Sequence, residues 1–139
     1  MTLDFFVFYF YYIYSNYDLL NVFKLRRIRL VRTIIEDKTA IIHIEKNIIY
    51  ENVDILEDKL SYIKSLGVFN FIFDFHKTEF ICSSALGLIA STLRIASENG
   101  GVVYFCSLTS RLKNLFEAMK FLNIVHTAGS AEDALKNIK

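Results

Sequence analysis

Proline is missing from all 139 residues, cysteine occurs twice and glycine five times. Without proline, nothing forces a break in any element. The two cysteines, Cys82 and Cys106, stand far apart and form no Cys-x-x-Cys pair. Neither a zinc site nor a disulfide framework is signalled, and two reduced thiols in a cytoplasmic protein are expected. No glycine-rich phosphate loop occurs, and no nucleophile-base pattern replaces it. The histidines His43, His76 and His126 are scattered without metal-ligand spacing. A net charge of +1 gives no electrostatic reason to expect nucleic acid. These absences point away from an enzyme and leave no metal or cofactor to expect.

The length suits one domain with a single core. Within it the composition is uneven. Residues 1–23 hold 10 of the 21 aromatics, and FFVFYFYYIY (Phe5 to Tyr14) is apolar for ten residues. KLRRIR (Lys24 to Arg29) follows. Residues 1–33 carry five basic and two acidic residues, leaving eleven basic and thirteen acidic in the remainder. The head is basic and the body mildly acidic. A secretory signal places positive charge ahead of its apolar run, where Asp4 stands here. A membrane span needs roughly 20 apolar residues, and SNYD (Ser15 to Asp18) interrupts the run well short of that. Residues 1–29 therefore read as an N-terminal extension and residues 30–139 as the folded domain. The extension suits a membrane-surface segment, a disordered head, or a strand or helix added to the domain. Phe, Tyr, Ile, Asn and Lys also dominate translated AT-rich non-coding DNA, so a start placed too far upstream is a further reading. Any membrane contact is confined to this extension.

From Leu30 the pattern is regular. LVRTIIED (Leu30 to Asp37) and TAIIHIE (Thr39 to Glu45) are β-branched runs joined at Asp37-Lys38, a hairpin. Glu51 to Gly67 reads as a helix: Val53, Leu56, Leu60, Ile63 and Leu66 share one face, and Gly67 is placed to end it. VFNFIFDF (Val68 to Phe75) is apolar almost throughout, as a strand covered on both faces is. Ser83 to Gly101 is a second helix with a Gly100-Gly101 stop. Val102 to Cys106 is a fourth strand. Ser110 to Phe121 is a third helix with Leu112, Leu115, Phe116 and Met119 inward. Asn123 to Thr127 is a short last strand. Ser130 to Ile138 is a closing helix, with Ser130 as N-cap and Asp133 approximating a capping box. The order β-β-α-β-α-β-α-β-α predicts an α/β fold: a mixed sheet of about five strands, with parallel strands after the hairpin and about four helices against it.

In such sheets the functional loops lie beyond the carboxyl ends of the strands. FICSSALGLIASTL (Phe80 to Leu93) follows the third strand there, with two serines at the mouth of a helix. One serine suffices as a cap, and Ser83 is placed for it. Ser84 then needs another reason. A serine in the first turn lies near unpaired N–H groups, where a phosphate is favoured by the helix dipole. Asp74, ending the third strand, is placed to orient the loop by hydrogen bonds, and His76 lies in that loop.

An ordered set of landmarks carries a resemblance. Asp74 in IFDF is followed by Phe-Ile-x-Ser-Ser-x-Leu-Gly (residues 80–87), then by ENGGVVYF, LFEAMKFLNIV and SAEDAL. Over roughly Ile34 to Ile138 the chain resembles STAS domains, and among them the bacterial anti-sigma factor antagonists. The resemblance implies a STAS-like fold. It also implies binding to an anti-sigma factor that is a serine kinase with a GHKL-type ATP site, freeing a sigma factor. In that family the kinase phosphorylates the second serine of Asp-Ser-Ser-Gly-Leu-Gly, which maps to Ser84. The modified protein then releases, and a PP2C-type phosphatase restores it. The implied switch loop and partner surface comprise Asp74, His76, Cys82, Ser83, Ser84, Ala85 and Gly87. Cys82 stands where the family has aspartate, and Ala85 and Asn47 where it has glycine; asparagine also tolerates left-handed geometry. The alternative is a STAS scaffold without a phosphorylation cycle, in a lipid-transport ABC complex or a stress-signalling assembly.

Overall fold

Asp37 turns the first hairpin. At φ 55° it occupies the left-handed region that aspartate tolerates. It folds β1 (Val31–Glu36) antiparallel onto β2 (Thr39–Ile44), pairing Glu36 with Thr39 and Val31 with Ile44. The structure, a computed structural model, describes residues 30–139. The extension expected over residues 1–29 lies outside the described residues.

Each later strand is reached through a helix. α1 (Val53–Ser65) leads to β3 (Asn70–Asp74), α2 (Ser83–Glu98) to β4 (Val103–Cys106), and α3 (Ser110–Ala118) to β5 (His126–Ala128). α4 (Ala131–Ile138) closes the chain. The sheet runs β1-β2-β3-β4-β5, with every pair after the hairpin parallel. The STAS-like mixed sheet of five strands and four helices is thus as expected. Because the strand order never reverses, the three right-handed crossovers put α1, α2 and α3 on one face.

That face holds the main core. Phe71, Phe73 and Phe75 point into it from β3 and its end, stacked at 6.1 Å between successive ring centroids. Phe105 meets Phe73 and Phe75 edge-on, and Phe116 of α3 closes the cluster at 4.8 Å from Phe105. All five rings are fully buried. The opposite face is thinner. There Ile41, Ile72 and Cys106 are covered by Ala131 and Ala134 of α4.

Two expected boundaries move. The third helix stops at Ala118 rather than Phe121: Lys120 turns left-handed at φ 60°, and a 3-10 turn spans Phe121–Asn123. Phe121 is the reason. Five positions beyond Phe116, a continuing α-helix would carry it about 140° away from that ring. The turn instead stacks it at 5.9 Å from Phe116, nearly buried. Asn123 is therefore part of the turn, and the last strand begins only at His126. Met119 and Leu66, expected inward, sit at helix C-caps and are exposed.

Gly101 is required where the chain enters β4. A Cβ there would collide with the backbone carbonyl of Phe69. This close approach seats the start of β4 beside β3, where Phe71 N donates to Val102 O at 3.0 Å.

Candidate functional site at the carboxyl end of the sheet

α2 begins without a side-chain cap. Its N-cap is Cys82, in extended backbone at φ −70° and ψ 162°, with no side-chain capping bond. Ser83, placed by sequence as the cap, is instead the first helical residue and Ser84 the second. Both are exposed, and among the described residues neither hydroxyl makes a hydrogen bond. No acidic residue occupies the first turn. Ala85 is fully buried and Gly87 exposed, so the outward face of the turn consists of small groups around two hydroxyls.

The loop from Phe75 to Cys82 hangs from β2 and the residues just after it. Thr78, fully buried, directs its hydroxyl at the carbonyls of Ile44 (3.3 Å) and Lys46 (3.1 Å). The Oδ1 atom of Asn47 accepts from the amides of Glu79 (2.8 Å) and Phe80 (3.1 Å). Asn47 thus works through its side chain. It is not among the left-handed residues, contrary to the expectation that it would reproduce a glycine conformation. Ile48 and Ile81 form an isolated parallel bridge, with Ile48 N donating to Phe80 O and Cys82 N to Ile48 O. Outside, Glu45 joins Lys77 of the loop (2.6 Å) to Arg32 of β1 (3.2 Å). The hydrogen bond from Lys77 holds the Glu45 carboxyl below its ordinary range, against the upward push of burial and with help from Arg32.

A third group lies on the α4 face. Asp74 Oδ2 sits 2.7 Å from His43 Nδ1 and 3.2 Å from His76 Nδ1, and Asp74 Oδ1 accepts from the His76 amide at 3.1 Å. Asp74 and His43 are buried, while His76 is half-exposed. Strand register makes this arrangement: His43 pairs with Asp74, and Asp74 with Cys106. Burial, then the charges of Asp74, Asp133 and Glu132, pushes the Cys106 thiol up to about 12. Asp74, placed by the sequence at the start of the loop, accepts from the His76 amide there, and its partner His43 had no place in the sequence reading. The available signal was one imidazole inside an otherwise apolar strand, which names no partner until the register is known. Among the described residues, no cluster of His, Cys, Asp and Glu could hold a metal ion.

The two loops joined by the Ile48–Ile81 bridge carry exposed apolar side chains. Phe80 is 50 % exposed, Ile49 41 % and Tyr50 77 %. Ile49 and Tyr50 carry no signal in the sequence, because a hydrophobic residue in a loop is visible as surface only after folding. Beside them a shallow polar hollow of about 390 Å³ is lined by residues including Lys46, His76, Lys77 and Thr109. Cys82 is the N-cap of α2, Ser83, Ser84 and Ala85 lie in its first turn, and Gly87 begins the next. Asp74 and His76 stand at the start of the same loop, with no hydrogen bond from Asp74 to either serine.

The STAS domain family model matches residues 31–134. Among curated protein sequences none matches significantly. Among solved structures, the Thermotoga maritima protein TM1081 superposes with a TM-score of 0.72 at 19% identity, covering 80% of this chain and 96% of that one. The anti-sigma factor antagonist SpoIIAA in its unphosphorylated form gives 0.69 at 17% identity, over 78% and 95% of the two chains. The Bacillus cell fate determinant SpoIIAA in its phosphorylated form gives 0.66 at 17% identity, over 78% and 99%. The family match spans the whole sheet and α1 to α3 and ends within α4. The chain belongs to the STAS domain family.

Proposed function

We propose that the protein is an anti-sigma factor antagonist whose partner binding is switched by phosphorylation of Ser84. The observation that carries this is the exposed hydroxyl of Ser84 in the first turn of α2, four residues after the exposed Phe80, whose loop the Ile48–Ile81 bridge fastens beside the exposed Ile49. An apolar face gives a partner area to bury, at about 25 cal/mol per Å². A phosphate adds about −1.5 to −2 charges at neutral pH, which a docked partner would have to desolvate. The first-turn amides receive that phosphate, so the modification alters the interface and leaves the fold in place. The similarity to SpoIIAA, known in an unphosphorylated and a phosphorylated form, supports this reading. The partner is then an anti-sigma factor with a GHKL-type serine kinase domain, a PP2C-type phosphatase reverses the mark, and the site of action is the cytoplasm. The domain does no chemistry of its own, and takes no nucleic acid as partner.

A second reading is favoured by one observation. Cys82 replaces the family aspartate, and the first turn of α2 holds no carboxylate at all. A STAS scaffold that is never phosphorylated needs none. Affinity capture from the native cell separates the two: recovery of a GHKL-type kinase that labels Ser84 from ATP supports the switch. Recovery of a transporter ATPase without labelling supports the scaffold.

A further inference from the structure

We propose that His43 and Asp74 are positioning residues for the serine loop, so that the shape presented at Phe80 and Ser84 is set from inside the sheet, on β2. The functional meaning rests on the docking reading above; the mechanical claim does not.

The loop leaves the sheet at Asp74; Phe75 N still donates to Cys106 O at 3.0 Å, and the next hydrogen bond along the chain is made by the Asp74 side chain. Asp74 Oδ1 accepts from the His76 amide at 3.1 Å, which bends the chain immediately after β3. The carboxylate can do this only while it is itself held. Its other oxygen meets His43 Nδ1 at 2.7 Å, in a pair with side-chain exposures of 11% and 9%. A carboxylate buried to that extent needs partners, since an unpaired charge there is strongly unfavourable. His43 is the inner one, fixed on a central-sheet strand by its pairing with both Arg32 and Asp74. His76 is the outer one, on the loop itself, at 3.2 Å and half-exposed. The carboxylate therefore bridges an imidazole on β2 and the loop's own amide and ring.

Everything further along the loop is tied to the same stretch of chain. Thr78 is bound to Ile44 and Lys46, Glu79 and Phe80 to Asn47, and Cys82 to Ile48. Residues 43–48 thus act as a rail, and His43 is its buried end. The facing groups on the α4 side are Cys106, Asp133 and Glu132, none of which donates to Asp74 in place of His43.

Amide hydrogen exchange on the full chain tests this without any partner. In His43→Leu, exchange at His76, Thr78, Glu79 and Phe80 rises about tenfold or more, while Phe71 and Phe105 in the sheet keep their protection, as expected for local rather than global opening. His43→Gln, which restores a donor toward Asp74, recovers most of the loop protection. Asp74→Asn, which keeps an acceptor but loses the charge and one acceptor site, gives an intermediate rise. Unchanged loop exchange in His43→Leu, or an equal rise in loop and sheet, overturns the proposal, as does failure of His43→Gln to rescue. Should His43→Leu not fold, Asp74→Asn decides alone: a rise confined to residues 76–80 supports positioning, and none overturns it. Failure of Ser84 to be labelled by a kinase leaves these results untouched and counts only against the docking reading.

Discussion

Ile48 and Ile81 pair in a single parallel bridge that fastens the loop after β2 to the loop after β3. Both are buried, but their neighbours Ile49 and Phe80 face out. One bridge therefore brings two separately encoded apolar loops to the mouth of α2. Phe80→Ala removes the exposed ring nearest the serines in sequence. Partner affinity should fall by about 1–2 kcal/mol or more, as for an interface aromatic. The melting temperature should move little, as for a surface change. Calorimetric titration with the purified anti-sigma factor, beside thermal melts, checks both; unchanged affinity would move the docking face elsewhere.

Ser84 should be the residue labelled by the cognate kinase and ATP, with little label on Ser83; mass-spectrometric localisation reads this directly. Ser84→Ala should bind the partner and resist release, and should melt within about 0.5 kcal/mol of the natural chain, because its hydroxyl makes no hydrogen bond. Ser84→Asp should weaken binding only in part. A full switch needs a differential of about 5.5 kcal/mol, roughly 10⁴-fold, and one carboxylate carries less charge than a phosphate. Equal affinity for all three forms would take Ser84 out of the interface.

Two glycines should answer oppositely to alanine. Gly87 lies within α2 with open space around it, so Gly87→Ala should stabilise the helix by about 0.5–1 kcal/mol. At Gly101 the new methyl meets the Phe69 carbonyl. Gly101→Ala should cost about 1–3 kcal/mol through backbone displacement. Chemical denaturation gives both values. A stable Gly87→Ala chain that no longer binds its partner would place Gly87 in the interface.

The thiols should separate by position. Cys82 is partly exposed and Cys106 buried. A maleimide at neutral pH should modify Cys82 in the native protein and Cys106 only after unfolding. Because the folded value of Cys106 is raised to about 12 from 9.0, the folded state holds its proton more tightly. The resulting stabilisation is complete below about pH 9 and is lost as pH rises toward 12. Denaturation midpoints for Cys106→Ser should lose that alkaline slope; a slope unchanged from the natural chain would contradict the assignment.

A chain lacking residues 1–28 should unfold cooperatively. It keeps Leu30, which is buried and whose carbonyl accepts from Glu45 N at 2.7 Å. Circular dichroism melts would show this, and a broad, non-cooperative transition would assign the extension to the core.

The elements and their order were legible because each follows from local chemistry. The Asp37 turn, the apolar VFNFIFDF run and the Ser130 cap, which accepts from Asp133 N at 3.2 Å, depend on residues a few positions apart. The serines at the start of α2 were legible for the same reason. Where α3 ends was not, since that depends on Phe121 reaching Phe116. Nor was the role of Asn47, whose hydrogen bonds span 32 and 33 residues. The His43–Asp74 pair, 31 residues apart, exists only because β2 and β3 lie side by side in one register. Periodicity and capping are encoded along the chain; which strand end faces which, and thus which imidazole holds which carboxylate, is decided only when the sheet closes.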